Sequence, residues 1–514
     1  MKSTIKLLGL GVLFLSLTVL LHSCDKNFQE INTNPNNSIN AYPYQFMQAA
    51  FRDAVASNMS RNRSFNNELM QVTVNIGDGE YRIFRYDIRN TVADGPWNSL
   101  YPELNNINEI YKLADGGMND NSSYRGIALI MKTWIFSILT DTYGDIPYSE
   151  ALKGQSDDIL EPKFDAQKDI YMDLFRQLDS ANALLTKNTG IKGEYDPIYA
   201  GNISKWRKFG NSLFLRLLLR VSGKQDAEVA NYVKAKISDI LVDNVSTYPI
   251  MTSNDDSAIL KWTGTIPFVS PFMDVRAQDF RTPSLGSFFI DNLVAWNDPR
   301  INIPTYGSNG VNRLGIAPVS GNFVGVPSGY APGEGWEKQS YFYSYDQTVN
   351  NIAVRTMMNE PLTGMIMNCA EVQFIKAELA LKGFYTDKPG DLYKDGVVKG
   401  ITTWLPTYTE SVEDYLNNGD INWDDSYSFE KKMEMIHLQK YYALLFVDCQ
   451  QWFEFRRTGY PKLPKGTGLK NNGEMPARLN YPIYVQSANP TNYKLAVQTQ
   501  GKDAIDTKVW WQRP

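Results

Sequence analysis

The feature that most constrains this fold is a series of stretches whose apolar residues recur at helical spacing. One such stretch follows Asp165, a residue type that is favoured at helix N-termini. Its apolar residues lie three or four positions apart: Ile170, Leu174, Leu178, Ala181 and Leu185. This spacing gathers them on one face of a helix. We therefore predict an amphipathic helix that begins just after Asp165 as its N-cap.

The same periodicity predicts helices in two separate blocks of the chain. The predicted helices cover residues 44–57, about 97–111, 127–143, 204–221, 227–241, 369–382, 392–404, 429–446 and 452–457. Small residues at packing positions, such as Ala370 and Ala377, indicate stacked helical hairpins. No clean repeat of about 34 residues accompanies them. We predict a mainly α chain with a helical scaffold over residues 43–243 and 365–458.

Between the two blocks, residues 244–364 have a different character. Gly and Pro are frequent there, aromatic residues are numerous, and only residues 284–293 show helical spacing. An irregular stretch of this length in a compact protein is usually functional or a loop-rich subdomain. A Pro- and Asn-rich tail occupies residues 459–514. We expect a single domain over residues 43–514, which combines the helical scaffold with this loop-rich region.

The first residues resemble an export signal with a lipid-attachment site. Lys2 and Lys6 precede an apolar or small-residue run over 7–21 that is too short to span a membrane. The run ends in Leu21-His22-Ser23-Cys24, which resembles the lipobox of bacterial lipoproteins. We predict a signal over residues 1–23, acylation of Cys24 and a flexible leader over 24–42. The alternative is a plain secretory signal with an incidental cysteine.

Composition excludes several kinds of function. The net charge is −5 and no basic run is present, so nucleic acid is a poor partner. After loss of His22 with the signal, His437 is the only histidine, which disfavours a Ser-His-Asp triad or a zinc site with paired histidines. We expect His437 to be a helix residue rather than a catalytic one. Cys369 and Cys449 are expected to be buried free thiols, although a disulfide stays open.

Aromatic side chains make up 13% of the chain, with 30 Tyr and 11 Trp. Tyr and Trp combine a flat apolar face with a polar edge. Sugar rings have C–H faces and hydroxyl rims, so such side chains suit a glycan ligand. Each single aromatic residue can equally belong to the core.

Several specific phrases occur in order along the chain. They are Asp141-Thr142-Tyr143-Gly144-Asp145-Ile146-Pro147-Tyr148-Ser149-Glu150-Ala151, Trp206-Arg207-Lys208-Phe209-Gly210-Asn211-Ser212-Leu213, Asn297-Asp298-Pro299-Arg300, Cys369-Ala370-Glu371-Val372 and Arg478-Leu479-Asn480-Tyr481-Pro482. Together they resemble the SusD/RagB family of outer-membrane nutrient-binding lipoproteins of Bacteroidetes. The resemblance covers essentially the whole chain after the signal. Asp141, Asp145 and Glu150 do not have the spacing of an EF-hand, and we expect capping or ion pairing from them.

The resemblance implies a tetratricopeptide-like helical scaffold that carries a loop-rich ligand-binding region. It also implies a lipid-anchored protein on the outer face of the outer membrane that caps a SusC-like TonB-dependent transporter. Such a protein would bind an oligosaccharide and assist its uptake without acting as an enzyme. We accordingly expect no catalytic residue, metal or cofactor.

Ligand-binding candidates are aromatic residues outside helical stripes, with hydrogen-bonding partners nearby. The first group precedes or begins the second predicted helix: Tyr81, Arg85, Trp97 and Asn98. The second group lies in the loop-rich region: Trp336, Tyr341 and Tyr343. The alternative is that Trp97 packs on the scaffold and that residues 341–345 form a strand with one buried aromatic face.

Three other functions stay open at this point. The chain could bind peptides, as the RagB side of the family implies. It could be a glycoside hydrolase, which needs two carboxylates and no histidine. It could also be a structural lid that has lost its ligand affinity.

Overall fold

Long helices dominate the computed structural model, which describes residues 41–302, 312–419 and 421–514. The helices of seven or more residues are α1 (Tyr44–Arg61), α2 (Asp94–Leu113), α3 (Ser122–Tyr143), α4 (Gln167–Thr186), α5 (Ile203–Val221), α6 (Ala227–Ser238), α7 (Ser287–Ala295), α8 (Cys369–Leu381), α9 (Pro389–Trp404), α10 (Val412–Asn418), α11 (Phe429–Ala443), α12 (Gln450–Thr458) and α13 (Pro490–Gln500). Shorter α-helices are Asn67–Leu69, Gly154–Asp157, Ala277–Phe280 and Ile483–Ala488.

Consecutive helices pack against one another from α1 through α6. Helix α8 then packs on α9, on α11 and back on α5, so the two helical blocks share one scaffold. Residues Pro43–Pro514 form one compact unit. The predicted mainly α fold, with helical hairpins and a loop-rich region, is confirmed.

The central helix α3 shows how the sequence sets the helix ends. The Asn121 side chain caps its start by accepting hydrogen bonds from the N–H groups of Ser123 and Tyr124 at 2.9 and 3.2 Å. Gly144, with φ of 86°, ends it, because glycine tolerates this left-handed conformation. Nearly every residue of α3 is buried, as expected for a helix with neighbours on both sides.

The predicted N-cap Asp165 is wrong, although the helix starts two residues later as expected. The N-cap position is Ala166, and no side chain caps it. Asp165 lies in a short strand instead, and its carboxylate accepts hydrogen bonds from the Ser149 N–H at 2.8 Å and the Ser149 hydroxyl at 2.9 Å. The carboxylate therefore fixes a hairpin rather than a helix end.

Short strands connect the loops to the scaffold. They are β1 (Thr73–Val74), β2 (Ile146–Pro147), β3 (Phe164–Asp165), β4 (Ala258–Leu260), β5 (Ser284–Leu285), β6 (Ile316–Ala317), β7 (Tyr341–Phe342), β8 (Thr348–Val349), β9 (Ile352–Ala353) and β10 (Gly364–Met367). Each pairs antiparallel with one partner, as β1·β5, β2·β3, β4·β10, β6·β7 and β8·β9. Most of these strands lie in the predicted loop-rich region.

The structure differs from the sequence expectation at three places. The predicted helix 284–293 is shifted to Ser287–Ala295, because Ser284 and Leu285 pair with β1. Helix α10 follows α9 without having been predicted. The Pro- and Asn-rich tail contains two helices, Ile483–Ala488 and Pro490–Gln500. Pro482 is the N-cap residue of the first, and Pro490 occupies the first turn of the second, where an N–H would have no intrahelical acceptor.

Buried ion pairs reinforce the helical core. Arg216 on α5 donates two hydrogen bonds to the Glu371 carboxylate on α8, at 2.7 and 2.6 Å, and both side chains are nearly inaccessible. Arg300 similarly donates to both carboxylate oxygens of Asp298, at 2.8 and 2.6 Å. Glu371, Asp298 and Arg300 lie in phrases that carry the family resemblance, and Arg216 follows one of them.

Cys369, Cys449 and His437 lie within the described residues, whereas the predicted signal and lipid-attachment site do not. Cys369 and Cys449 are buried and free, as predicted. His437 is buried in α11. The predicted signal 1–23, the acylated Cys24 and nearly all of the leader 24–42 lie outside the described residues. Among the described residues, no helix combines the length and apolar character needed to cross a membrane.

We predict that Glu371→Gln lowers the free energy of unfolding by about 3–5 kcal/mol, because it leaves the buried Arg216 guanidinium without its counter-charge. Urea titration followed by circular dichroism measures this loss. Glu413→Gln is the matched control, since Glu413 pairs with Lys394 on the surface at 2.9 Å. That change should remove less than about 1 kcal/mol. Equal losses in the two variants would contradict the role assigned to the buried pair.

Candidate functional site

A polar cavity of about 410 Å³ opens where two loop segments meet the end of α1, and we call it the loop cavity. It is lined by Arg63, Ser64, Glu68, Asn75, Tyr81, Arg82, Ile83, Asp279, Thr282 and Pro283. The antiparallel pairing of β1 with β5 builds it, with Val74 opposite Ser284. The residues after β1 therefore lie beside the residues before β5, although some 200 positions separate them.

Tyr81 presents the aromatic surface of the loop cavity. It is 47% exposed and has a φ of 59°, a left-handed conformation that is uncommon for tyrosine. Its N–H donates to the Asp87 carboxylate at 2.8 Å, which supports this backbone geometry. The Arg89 guanidinium lies 4.3 Å from the ring centre and covers one face. The rest of the ring is available to stack on a ligand.

Charged groups surround this ring. Arg63 donates to the Asp279 carbonyl at 2.8 Å, which ties the end of α1 to the loop at 277–283. Glu68 is buried at the cavity wall, and this burial raises its pKa to about 7, although Arg82 and Arg63 act in the opposite direction. The cavity thus offers cationic donors and a carboxyl group that titrates near neutral pH.

Arg85, a predicted ligand-binding residue, is buried and holds loops together instead. Its Nε donates to the Tyr330 carbonyl at 2.8 Å, and its guanidinium lies 4.7 Å from the Tyr330 ring centre. The ring of Phe84 lies on the same guanidinium at 4.9 Å. The side chain joins residues 84–86 to the loop at residue 330. Only 3% of its surface is accessible to solvent, which leaves little of it for a ligand to contact.

Trp336 lies further along the loop that Arg85 supports. It is 37% exposed, and its indole N–H donates to Glu334 at 3.2 Å. Glu334 also accepts from the Ala331 N–H and from the Thr467 hydroxyl, which orders this loop. Trp336 is therefore presented at the surface, outside the lining of the loop cavity.

Tyr341 and Tyr343 lie together, with ring centres 6.1 Å apart. Tyr341 is partly exposed in β7, and the Lys338 ammonium lies 3.9 Å from its ring centre. Tyr343 is buried in a small cluster with Ala317 and Val354. The structure thus favours a packing role for Tyr343 and leaves Tyr341 accessible.

Trp97 and Asn98 lie at a different place. Trp97 is half-buried at the start of α2 and packs on Tyr101 and Tyr143, with ring centres 5.0 and 5.2 Å away. It lines a mainly apolar cleft of about 250 Å³, which we call the aromatic cleft. Tyr484 lines this cleft too, and its hydroxyl donates to the Asn98 side chain. The structure does not bring this pair into the cavity of Tyr81.

Three acidic or imidazole groups come close enough to hold a metal ion: Glu378, His437 and Glu454. Arginine and lysine side chains already pair with the two carboxylates of this group. Arg457 donates to Glu378 at 2.6 Å and to Glu454 at 2.7 Å, and Lys440 donates to Glu454 at 2.7 Å. Burial opposes ionisation of both carboxyl groups, but these cations hold the pKa of each well below its usual range. This cluster fits a structural ion-pair network better than a metal site.

Sequence reasoning missed Arg63, Glu68, Asp279 and Thr282 of the loop cavity. Arg63 and Glu68 follow a helical stretch and have no local pattern that marks a site. Asp279 and Thr282 become relevant only through the β1·β5 pairing. Of the predicted residues, only Tyr81 lines the loop cavity, while Trp336 lies on a neighbouring loop.

These features define a class of protein in which a scaffold of helical hairpins carries a loop-rich region and presents a polar cavity and an aromatic cleft. The chain belongs to the SusD-like_2 family, which is described as starch-binding and associating with the outer membrane and whose model matches residues 35–482. The resemblance noted in the sequence is thereby confirmed. Members of this family are binding proteins associated with the outer membrane.

Solved structures share this fold. A chitin-binding protein is 25% identical, with a TM-score of 0.70, and the match covers 92% of this chain and 99% of that one. A SusD homologue from Bacteroides uniformis is 23% identical, with a TM-score of 0.73 over 92% of this chain and 100% of that one. A chitin-binding SusD homologue from Flavobacterium johnsoniae is 19% identical, with a TM-score of 0.73 over 91% and 98%. Among curated proteins, none matches in sequence.

The raised pKa of Glu68 predicts a pH-dependent stability. Between the ordinary carboxyl pKa of 4.5 and about 7, the folded protein keeps a proton on Glu68 that the unfolded chain releases. Stability from this group is therefore fully present below pH 4.5 and falls as pH rises towards 7, by at most about 1.4 kcal/mol per pH unit. Glu68→Gln should remove this slope in denaturant titrations at pH 5, 6 and 7. Glu80→Gln, in the adjacent exposed loop, is the control and should retain it.

Proposed function

We propose that this protein is a lipid-anchored receptor at the cell surface that binds an oligosaccharide in the loop cavity and assists its uptake by a SusC-like TonB-dependent transporter. Family membership supports an outer-membrane binding protein. The chitin-binding relative at 25% identity supports a glycan as the ligand. The proposal also covers Cys24 as the site of the lipid anchor.

One observation carries the assignment of the ligand site. Tyr81 is exposed at a cavity whose other walls are formed by Arg63, Arg82, Asp279 and Thr282. An aromatic face packs against the C–H surface of a sugar ring, while guanidinium, carboxylate and hydroxyl groups form hydrogen bonds with its rim. A volume of about 410 Å³ lies within the range of small-ligand sites.

The arrangement of the cavity also shows how a stable scaffold supports a site that is built from loops. Arg63 extends from the end of α1, and its contact with the Asp279 carbonyl anchors one loop to the scaffold. Tyr81 and Arg82 come from a second loop, which β1 holds in place. Substitutions in these loops change the groups that face the ligand without disturbing the helical core.

We predict that Tyr81→Ala weakens binding of the cognate oligosaccharide at least tenfold, because it removes about 1.5 kcal/mol of stacking. Calorimetric titration with chito-oligosaccharides and malto-oligosaccharides identifies the ligand and measures the change. Tyr345→Ala is the matched control, since Tyr345 is 50% exposed but lines none of the cavities described above. Trp97→Ala and Trp336→Ala test the other two aromatic candidates.

The same experiment separates the alternative functions. Unchanged binding by Tyr81→Ala, with loss in Trp97→Ala, would move the ligand to the aromatic cleft. Binding of peptides but not of glycans would favour the RagB-like alternative. Release of reducing ends from polysaccharide would contradict a binding protein and favour a glycoside hydrolase. No binding of either ligand class would favour a structural lid.

We predict that Cys24→Ala leaves oligosaccharide binding by the soluble protein unchanged but slows growth of cells on the cognate glycan. A lipid anchor confines the receptor to the membrane plane beside its transporter, which raises their effective concentration. Growth curves on the glycan and on a simple sugar measure the effect. Ser23→Ala is the control and should grow normally. Normal growth of the Cys24→Ala strain on the glycan would contradict this role of the anchor.

A further inference from the structure

A second cavity, of about 570 Å³, lies among the scaffold helices, and we call it the helix cavity. Its lining consists of Asn108, Lys112, Lys132, Phe136, Tyr148, Ser149, Leu152, Lys153, Ser156, Asp157, Lys163, Asp165, Asp169, Ile170, Asp173, Arg176 and Gln177. None of these residues lines the loop cavity. Its volume fits one or two sugar-sized rings.

Helical spacing builds three walls of the helix cavity. Helix α3 contributes Lys132 and Phe136, which lie four residues apart on one face. Helix α4 contributes Asp169 and Asp173 at the same spacing. Helix α2 supplies Asn108 and Lys112, again four apart. Side chains at this spacing project from the same side of a helix, so each helix presents a pair to the cavity.

The β2·β3 hairpin forms the fourth wall by alternation along its strands. Tyr148, Lys163 and Asp165 line the helix cavity. Their neighbours Pro147, Pro162 and Phe164 line the aromatic cleft instead. Successive side chains of a strand point to opposite faces, so this hairpin separates a charged cavity from an apolar one.

Hydrogen bonds hold the carboxylate of Asp173 in place at the wall of the helix cavity. The Tyr148 hydroxyl donates to the Asp173 carboxylate at 2.5 Å, and Gln177 and Arg176 donate to the same carboxylate at 3.2 and 3.0 Å. The Tyr148 ring packs edge-on against Phe136, with ring centres 4.6 Å apart. These contacts give the cavity a fixed aromatic surface next to a satisfied carboxylate.

Lys132 on α3 differs from Asp173 in its contacts. Within the described part of the chain, its ammonium group forms no hydrogen bond and no ion pair, and Asp173 acts on it only at longer range. Burial lowers the pKa of Lys132, and the charge of Asp173 offsets part of this effect. Lys132 is partly exposed, and an ammonium group in a cavity that has no protein acceptor can pair with an anionic ligand.

We propose that the helix cavity binds a small carboxylate-bearing ligand, such as a uronic acid unit of an acidic glycan. The ligand carboxylate would pair with Lys132, and its ring would pack against Tyr148, which Phe136 supports from the core. Asp169 and Asn108 line the same cavity and can accept or donate hydrogen bonds to hydroxyl groups. This site is independent of the oligosaccharide site proposed for the loop cavity.

Calorimetric titration of the whole protein with glucuronate, glucose and glutamate tests the proposal. Glucuronate should bind at least tenfold more tightly than glucose, which lacks only the carboxylate. Lys132→Gln should weaken glucuronate binding at least tenfold, whereas Lys132→Arg should retain part of it. Lys234→Gln, on the exposed side of α6, is the matched control and should bind as the original protein does.

Equal binding of glucuronate and glucose would overturn the proposal, and so would unchanged glucuronate binding by Lys132→Gln. The comparison of sugars uses the unaltered protein, so equal binding overturns the proposal even if a Lys132 variant misfolds. Glutamate distinguishes the source of the carboxylate. Glutamate affinity equal to that of glucuronate identifies amino acids or peptides as the source, while weaker glutamate binding identifies an acidic sugar.

Discussion

A network of buried ion pairs joins the helices of this fold. Arg457 on α12 donates to Glu378 on α8 at 2.6 Å and to Glu454 at 2.7 Å. Lys440 on α11 also donates to Glu454, at 2.7 Å, and the Arg220 guanidinium on α5 lies 3.4 Å from it. Charges that are removed from water are tolerated only when they are paired. Each helix must therefore take its correct position before its neighbours' charges are satisfied.

The same network of buried ion pairs includes Asp141, which connects it to the C-terminal tail. The Arg220 guanidinium lies 3.6 Å from this carboxylate, which also accepts from the Tyr171 hydroxyl at 2.6 Å and the Trp511 indole at 2.8 Å. Burial raises the pKa of Asp141, with Arg220 acting against it. Residues from α3, α4, α5 and the last turn of the chain thus converge on one group, which makes the C-terminal tail part of the core.

Periodicity and capping accounted for the fold where both signals agreed. Helix α5 was predicted at 204–221 and observed as Ile203–Val221, because its apolar stripe is long and Asn202 caps its start. The predicted and observed helix bounds differ where a long-range contact overrides the local preference for a helix. Ser284 and Leu285 have helical spacing with later residues, but pairing with β1 makes them a strand. The tail helix Pro490–Gln500 has little apolar periodicity, and packing against the hairpin around β3 stabilises it.

The site was less predictable than the fold because it is assembled from distant segments. Tyr81 could be identified from its type and its loop context, but Arg85, four residues later, has a guanidinium that is covered by the rings of Phe84 and Tyr330. Nothing within the local sequence encodes a contact 245 positions away. A cavity wall that lies within a single helix is easier to predict than one assembled from distant segments, since the spacing of Lys132 and Phe136 is visible in the sequence. What the sequence does not show is which neighbouring helices face that pair, and this requires the packing that the buried charges impose.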